Sequence, residues 1–266
     1  MSDKNDISER WARLSGAKRE VLERMLRRKV DSAFDPHTTL RRSGRLSAPL
    51  SFPQRRLWFL DQLEPGKSFY NITRAFLLRG PLNIDVLVRS LDEVVRRHES
   101  LRTNFQIIDD EPVQVITPDR SSGTVVKDLR DLPESEREPL MKELVIQQAT
   151  TPFNLAEGAL FRASLLQVND REHVLSLTMH HIISDGWSMG VLFRELALLY
   201  EAFSTGSPSP LPELPIQYAD YAVWQCQQWQ GELRQNQLTY WRQQLSGAKA
   251  TLELPQVQKR PAVQSF

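Results

Sequence analysis

The sequence predicts an α/β sandwich made of mixed strands and long amphipathic helices. Short runs rich in β-formers, such as residues 161–168 and 173–178, are bounded by turn residues, which is typical of strands. Segments between them, such as residues 84–95 and 189–200, carry apolar residues at helical spacing. The sequence contains no GxGxxG or Walker motif, so the pattern does not favour a doubly wound nucleotide-binding fold.

The predicted elements alternate along the chain from Ser51, a candidate N-cap that is followed by an early helical proline, Pro53. The strands are rich in β-branched and aromatic residues, with hairpin turns at 109–111 and 169–171; they cover residues 69–78, 106–117, 124–127, 161–168 and 173–178. The helices carry apolar stripes; they cover residues 53–64, 84–95, 134–150, 189–203, 218–230 and 235–245. Pro139 is expected in the first turn of its helix, where a missing N–H costs nothing.

Composition excludes several classes of protein. The 266 residues include 34 basic and 33 acidic side chains, so no global nucleic-acid footprint is present. No apolar run has the length of a membrane span, and the polar N-terminus does not resemble a signal peptide. The single cysteine, Cys226, excludes an internal disulfide and fits a reducing compartment. We therefore expect a cytoplasmic protein with no nucleic-acid or membrane partner.

Two adjacent histidines, His180 and His181, follow a predicted strand and precede Asp185 and a glycine in a strand-to-helix turn. Because successive strand residues point to opposite faces, we expect one histidine to face the core and the other a cleft. Histidine suits proton transfer near neutral pH, and a helix N-terminus offers N–H groups to developing negative charge. Ser188 is a candidate N-cap for the following helix. The residues alone leave open a purely structural role for the pair.

The segment HHIISDG, residues 180–186, resembles the HHxxxDG signature of the condensation-domain superfamily of nonribosomal peptide synthetases. The segment RHESLRTNF, residues 97–105, is similar to a second motif of that family, RHExLRTxF. Without the resemblance, Arg97 and Arg102 would be interpreted as surface charges. The order of the two segments along the chain is also the order found in the family.

Two further segments resemble motifs of the same family. The stretch of residues 49–72 is similar to its first motif, SxAQxRLWFLxQ, but has Pro53 where alanine is usual and Arg55 where glutamine is common. YADYAVWQ, residues 218–225, resembles its fourth motif. The first segment looks more like the subtype that condenses L-configured donors. The resemblance covers about residues 46–266.

The resemblance implies a chloramphenicol acetyltransferase-like α/β sandwich, of which residues 46–266 would form the N-terminal lobe. In the family a second lobe meets the first in a V and leaves a tunnel between them. Second-lobe motifs of the VNT and HQDYPF types are absent from this sequence. We therefore expect a fragment or a truncated relative, which is inactive on its own.

The implied reaction joins an upstream aminoacyl or peptidyl thioester to the amine of a downstream aminoacyl thioester. Both substrates would be carried on phosphopantetheine arms of carrier proteins, with no cofactor or metal bound directly. His181 would take the amine proton, or orient the amine and stabilise the tetrahedral intermediate, while His180 points into the core. Asp185 would pair with Arg102 to hold the turn, and Gly186 would permit the tight turn and place its N–H near the site.

Residues 1–45 are expected to form a separate basic helical segment and linker, because they hold twelve Lys or Arg and seven Asp or Glu residues. A solvated helix packed on the domain is one interpretation. The other is a docking element, within residues 1–30, for an upstream synthetase subunit.

Two alternative functions remain open at the level of sequence. The chain could be a non-catalytic lobe that binds carrier proteins, although the intact His181 counts against this. It could also be an O-acyltransferase of the same superfamily, although that class does not explain the first and fourth motifs.

Overall fold

A computed structural model describes residues 42–229 and 231–248 of the chain. The chain divides into two units, Met1–Ser43 and Gly44–Phe266. The helical segment predicted within residues 1–30 lies outside the described residues. The domain boundary predicted after residue 45 stays a prediction.

Seven strands of the described chain form two sheets, which are mixed with helices as the sequence predicts. The strands are β1 Ser47–Pro49, β2 Asn71–Arg79, β3 Thr103–Ile108, β4 Glu111–Ile116, β5 Val125–Asp128, β6 Phe161–Asn169 and β7 Glu172–His180. The larger sheet has the order β2-β7-β6-β5, and the smaller has the order β1-β4-β3. All neighbours are antiparallel except β5 and β6, which run parallel. Strand β7 therefore lies at the centre of the larger sheet.

Six α-helices and one 3₁₀ turn, Glu99–Arg102, accompany the strands in the described ranges. The helices are α1 Phe52–Leu63, α2 Ile84–Arg97, α3 Glu134–Thr150, α4 Gly186–Ser204, α5 Tyr218–Gln228 and α6 Gly231–Gln244. Helix α1 begins as predicted: Ser51 is its N-cap and accepts a hydrogen bond from the Gln54 N–H, with a proline in the first turn. The hairpin between β3 and β4 turns through Asp109 and Asp110, which both adopt positive φ, as a two-residue turn requires.

Alternation along β7 divides the hydrophobic core between two faces of the larger sheet. Leu175, Leu177 and Met179 are buried in one cluster with apolar residues of α2 and α4. Val174, on the opposite face, belongs to a smaller cluster on which α3 packs through residues such as Leu144. The sheet is thus covered by helices on both faces, and its central strand is buried on both.

One detail of α3 differs from the prediction. The helix begins at Glu134, so Pro139 lies inside the helix, beyond the first turn. A proline at this place removes the N–H that would bond the Ser135 carbonyl. The predicted helix start at Glu134 agrees with the structure, but Pro139 is the sixth residue from that start and so lies beyond the first turn.

Two arginines that resemble surface charges in the sequence are buried: Arg97 is 5% exposed and Arg102 is 7% exposed. Arg97 Nε lies 3.1 Å from Glu195 Oε2, and the two side chains are 4% and 8% exposed. His98 Nε2 lies 2.7 Å from the same carboxylate oxygen. The cluster of Arg97, His98 and Glu195 links the C-terminal end of α2 to the middle of α4.

We expect Glu195→Ala to lower the free energy of unfolding by about 3–5 kcal/mol, because Arg97 would stay buried without its counter-charge. Denaturant titration followed by circular dichroism measures this loss. Glu201→Ala, at an exposed position of the same helix, is the matched control and should cost less than about 1 kcal/mol. Equal losses in the two variants would show that the buried ion pair does not stabilise the fold.

Candidate active site

The turn that carries the two histidines leaves the centre of the larger sheet. Strand β7 ends at His180, and α4 begins at Gly186. The backbone is held from both sides: the His180 N–H donates to the Leu160 carbonyl at 3.0 Å, and the His181 N–H donates to the Tyr70 carbonyl at 2.7 Å. The position of the turn is therefore fixed by the segments that precede β2 and β6.

His180 is a core residue, as the sequence predicts. It is 2% exposed, and its Nδ1 accepts a hydrogen bond from the Ile182 N–H at 3.1 Å. Its ring packs edge-on against Phe153, with 6.3 Å between the ring centroids. Burial, followed by the neighbouring His181, lowers the pKa of His180 to about 4. His180 is thus neutral near pH 7 and faces no open space.

His181 faces outward, and its exposed ring is held by the turn itself. Its Nδ1 lies 2.8 Å from the Ser184 carbonyl oxygen. Because a carbonyl oxygen only accepts hydrogen bonds, we assign the ring hydrogen to Nδ1. This assignment leaves a lone pair on Nε2. The two histidines therefore differ as expected, one facing the core and one facing solvent.

His181 lines a cavity of about 250 Å³ that all four motif segments help to build. The lining residues come from α1, the 3₁₀ turn, the histidine turn and the starts of α4 and α5; they are Pro53, Gln54, Leu57, Ser100, His181, Ile182, Ile183, Ser184, Asp185, Ser188 and Tyr218. Segments far apart in sequence thus meet at His181.

Tyr218 is a residue of this cavity that the sequence analysis did not select. Its hydroxyl lies 2.9 Å from Ser51 Oγ, and burial is the main factor that raises the pKa of Tyr218. Ser51 is also the N-cap of α1, so one hydroxyl group links the starts of α1 and α5. Position within the first and fourth motif segments was the only signal in the sequence.

Asp185 acts as the N-cap of α4, which corrects the prediction that Ser188 has this role. Asp185 Oδ1 accepts hydrogen bonds from the Ser188 N–H at 2.8 Å and from the Ser188 hydroxyl at 2.7 Å. These bonds, from the side chain and then the backbone of Ser188, lower the pKa of Asp185, with a smaller contribution from the Trp187 N–H. Ser188 is the third residue of α4 and completes the capping box with Asp185.

The structure does not contain the ion pair that the resemblance implied between Asp185 and Arg102. The carboxylate of Asp185 is bound to Ser188, and the described chain contains no salt bridge between the two residues. The Arg102 guanidinium donates instead to four carbonyl groups at the end of α2 and in the loop after β4; they belong to Val95, Arg96, Thr117 and Pro118. Carbonyl groups at a helix C-terminus lack partners within the helix, so they attract such donors.

The role expected of Gly186 also needs correction. Gly186 is the first residue of α4 and is not among the glycines with positive φ. Apart from the adjacent residues and the backbone of its own helix, no atom of the described chain lies within 4 Å of the place where a Cβ would stand. The tight turn therefore does not require glycine, and open space adjoins this residue.

Two classes of feature are absent from the part of the chain that the structure describes. It contains no group of three or more His, Cys, Asp or Glu side chains placed to hold a metal ion. None of its helices is both long and apolar enough to cross a membrane.

Comparison with known proteins assigns the fold and the family. The family described as Condensation domain matches residues 45–266. One of the proteins that make up the linear gramicidin synthase of Brevibacillus parabrevis is 50% identical over 217 residues, which is 82% of this chain but 3% of that protein. The phosphinothricin tripeptide synthetase PhsC of Streptomyces viridochromogenes is 40% identical over 258 residues, which is 97% of this chain and 24% of that protein. Small parts of much larger synthetases therefore resemble almost all of this chain.

Solved structures agree with this assignment. The X-domain from teicoplanin biosynthesis, in complex with OxyB, superposes with a TM-score of 0.70 at 31% identity, covering 85% of this chain and 49% of that one. The starter condensation domain of the rhizomide synthetase RzmA has the same fold, with a TM-score of 0.69 at 23% identity over 77% of this chain and 49% of that one. The chain spans about half the length of these solved chains. The predicted chloramphenicol acetyltransferase-like fold is confirmed, and the chain belongs to the condensation-domain family of nonribosomal peptide synthetases.

Proposed function

We infer that the chain supplies the histidine-bearing half of a site that forms an amide bond between two carrier-bound aminoacyl or peptidyl thioesters. The observation that carries this proposal is the geometry of His181. Its Nδ1–H is bound to the Ser184 carbonyl at 2.8 Å, so the lone pair of Nε2 is left for a substrate proton. The ring also lines a cavity of about 250 Å³, in which a reacting group can approach it.

In the proposed reaction the downstream amine nitrogen attacks the carbonyl carbon of the upstream thioester. His181 Nε2 accepts the amine proton as the C–N bond forms. The C–S bond then breaks, and the proton passes to the departing phosphopantetheine thiolate. General-base help of this kind contributes about 10²–10⁴-fold to a rate, and the positioning of two tethered substrates contributes at least as much.

The partners follow from the same proposal. One upstream and one downstream carrier protein would deliver the substrates, with no cofactor or metal bound by this chain and no nucleic-acid or membrane partner. Residues 1–30 are a candidate contact for an upstream synthetase subunit. The single cysteine supports a cytoplasmic location. Because the chain covers 49% of the solved condensation-domain chain it resembles, we expect residues 46–266 to be inactive without a second lobe.

A reconstituted assay tests the role of His181. The chain is joined to the second half of the condensation domain that it matches in the linear gramicidin synthase of Brevibacillus parabrevis. Dipeptide formation is then measured with loaded donor and acceptor carrier proteins. We expect product from this chimera, none from the present chain alone, and a rate about 10²–10⁴-fold lower for His181→Ala.

His181→Asn is the sharper variant, because an asparagine amide can still donate to the Ser184 carbonyl while the Nε2 lone pair is lost. We expect it to be as impaired as His181→Ala. Retention of most activity in His181→Asn would mean that His181 only holds the turn. Product from the present chain alone would contradict the two-lobe requirement. Failure of every form to make product would favour the non-catalytic carrier-binding alternative.

His180 should make the stability of the fold depend on pH. Its pKa is about 4 in the folded chain against an ordinary 6.5, so the unfolded state binds more protons between these two values. The free energy of unfolding should therefore be undiminished above pH 6.5 and fall by about 3 kcal/mol as the pH drops from 6.5 to 4.

The comparison with His180→Asn isolates this contribution. Asparagine keeps an acceptor for the Ile182 N–H but does not titrate, so the variant should lose less stability than the wild type over the same pH range. Urea titrations at a series of pH values measure both slopes. Parallel slopes would show that His180 does not control the acid sensitivity.

A further inference from the structure

A second cavity, of about 230 Å³, adjoins the cavity of His181. Ser100, Ile183, Ser184 and Ser188 line both cavities, so the two share a common wall. The first cavity contains the reacting histidine, and the second extends from this wall between α2 and α4.

The second cavity is mostly apolar. Val94, Leu101, Met179 and Leu192, from four different elements, line it and are each at most 5% exposed. No Asp, Glu, Lys or Arg is among its lining residues. An apolar cavity of about 150 Å³ in another protein stays dry and binds benzene, so about 230 Å³ holds a phenyl or branched aliphatic group.

His98 is the one titratable side chain on the wall of this cavity. Its Nε2 lies 2.7 Å from Glu195 Oε2, and Arg97 pairs with the same carboxylate at 3.1 Å. The Glu195 charge is therefore compensated by Arg97 behind the wall. The cavity offers no free charge to a cationic or anionic group.

Trp187 stands at the mouth of the cavity and is 84% exposed. It belongs to the first turn of α4, directly before Ser188 on the shared wall. An exposed indole beside an apolar cavity gains buried area when an apolar group enters, because the group covers part of the ring. Trp187 is thus placed to close over an occupant.

We propose that this second cavity binds an uncharged apolar side chain of the amino acid whose thioester reacts at His181. The inference rests on the proposed function. The side chain leaves Cα next to the reacting group, and the shared wall adjoins His181, so the second cavity is within reach of the side chain of a substrate placed at His181. The occupant is a branched aliphatic or phenyl group, and a charged side chain is rejected because its desolvation has no compensation in the cavity.

Binding to the present chain tests this proposal without any condensation. The probes are the N-acetylcysteamine thioesters of N-acetyl-leucine, N-acetyl-phenylalanine and N-acetyl-aspartate. Their binding is measured by NMR of the chain labelled with ¹³C in its methionine methyl groups. Met179 lines the cavity, whereas Met141 lies on α3 across the sheet. We expect saturable shifts of Met179 but not Met141 with the leucine and phenylalanine probes. The aspartate probe should bind at least about 10-fold more weakly.

Two variants with matched controls locate the binding. Trp187→Ala should weaken the leucine probe several-fold, while Trp241→Ala, at a tryptophan that is 54% exposed elsewhere, should not. Val191→Phe, which fills the cavity, should weaken binding about 10-fold or more, while Val126→Phe at an exposed strand position should not. Circular dichroism establishes that each variant is folded. Because Trp187 is exposed, its variant remains informative even if Val191→Phe does not fold.

The proposal is overturned if the charged and apolar probes bind alike, if Met179 does not respond, or if both Trp187→Ala and a folded Val191→Phe bind as the wild type does. Its failure is distinguishable from failure of the proposed function. A chimera that condenses equally well with leucine and aspartate substrates would keep the function and refute the selective cavity. Selective probe binding in a chimera that makes no product would keep the cavity and refute the function.

Discussion

The pairing of β7 between β2 and β6 is the constraint on which the site depends. All nine residues of β7 are paired with β2, from Glu172 opposite Arg79 to His180 opposite Asn71. A shift of one residue would exchange the two faces of the strand, so the His180 ring would lose its packing against Phe153. The same shift would turn Leu175 and Leu177 away from the cluster formed with α2 and α4. Packing of the core therefore selects the register, and the register determines which histidine reaches the cavity.

Two adjacent residues of one type thereby acquire different chemistry. The His180 ring is enclosed, and its acceptor nitrogen is occupied by the Ile182 N–H. The His181 ring lies beyond the last strand pairing, and its donor nitrogen is occupied by the Ser184 carbonyl. Each ring is thus oriented through Nδ1, once as acceptor and once as donor. Only His181 combines an open Nε2 with a cavity.

Much of this was predictable from the sequence because it follows from periodicity. The strands, the main helices and the opposite orientation of His180 and His181 depend on local spacing. The failures have a different origin. The position of Arg102 among four carbonyl groups depends on where a loop returns after β4, which no local pattern encodes. The N-cap of α4 was misassigned because Asp185 and Ser188 are both good capping residues, and their backbone conformation decides between them.

The corrected cap changes how negative charge would be stabilised in the proposed reaction. The Ser188 N–H and hydroxyl groups, in the first turn of α4, donate hydrogen bonds to the Asp185 carboxylate. They are therefore not available to an oxyanion in the way that an uncapped helix N-terminus would be. His181 lies in the same cavity as Asp185 and becomes positively charged once it accepts the amine proton. In the proposed reaction, proton transfer to His181 thus places a positive charge beside the negatively charged tetrahedral intermediate. The same side chain then serves as the general base and as the electrostatic stabiliser of the intermediate.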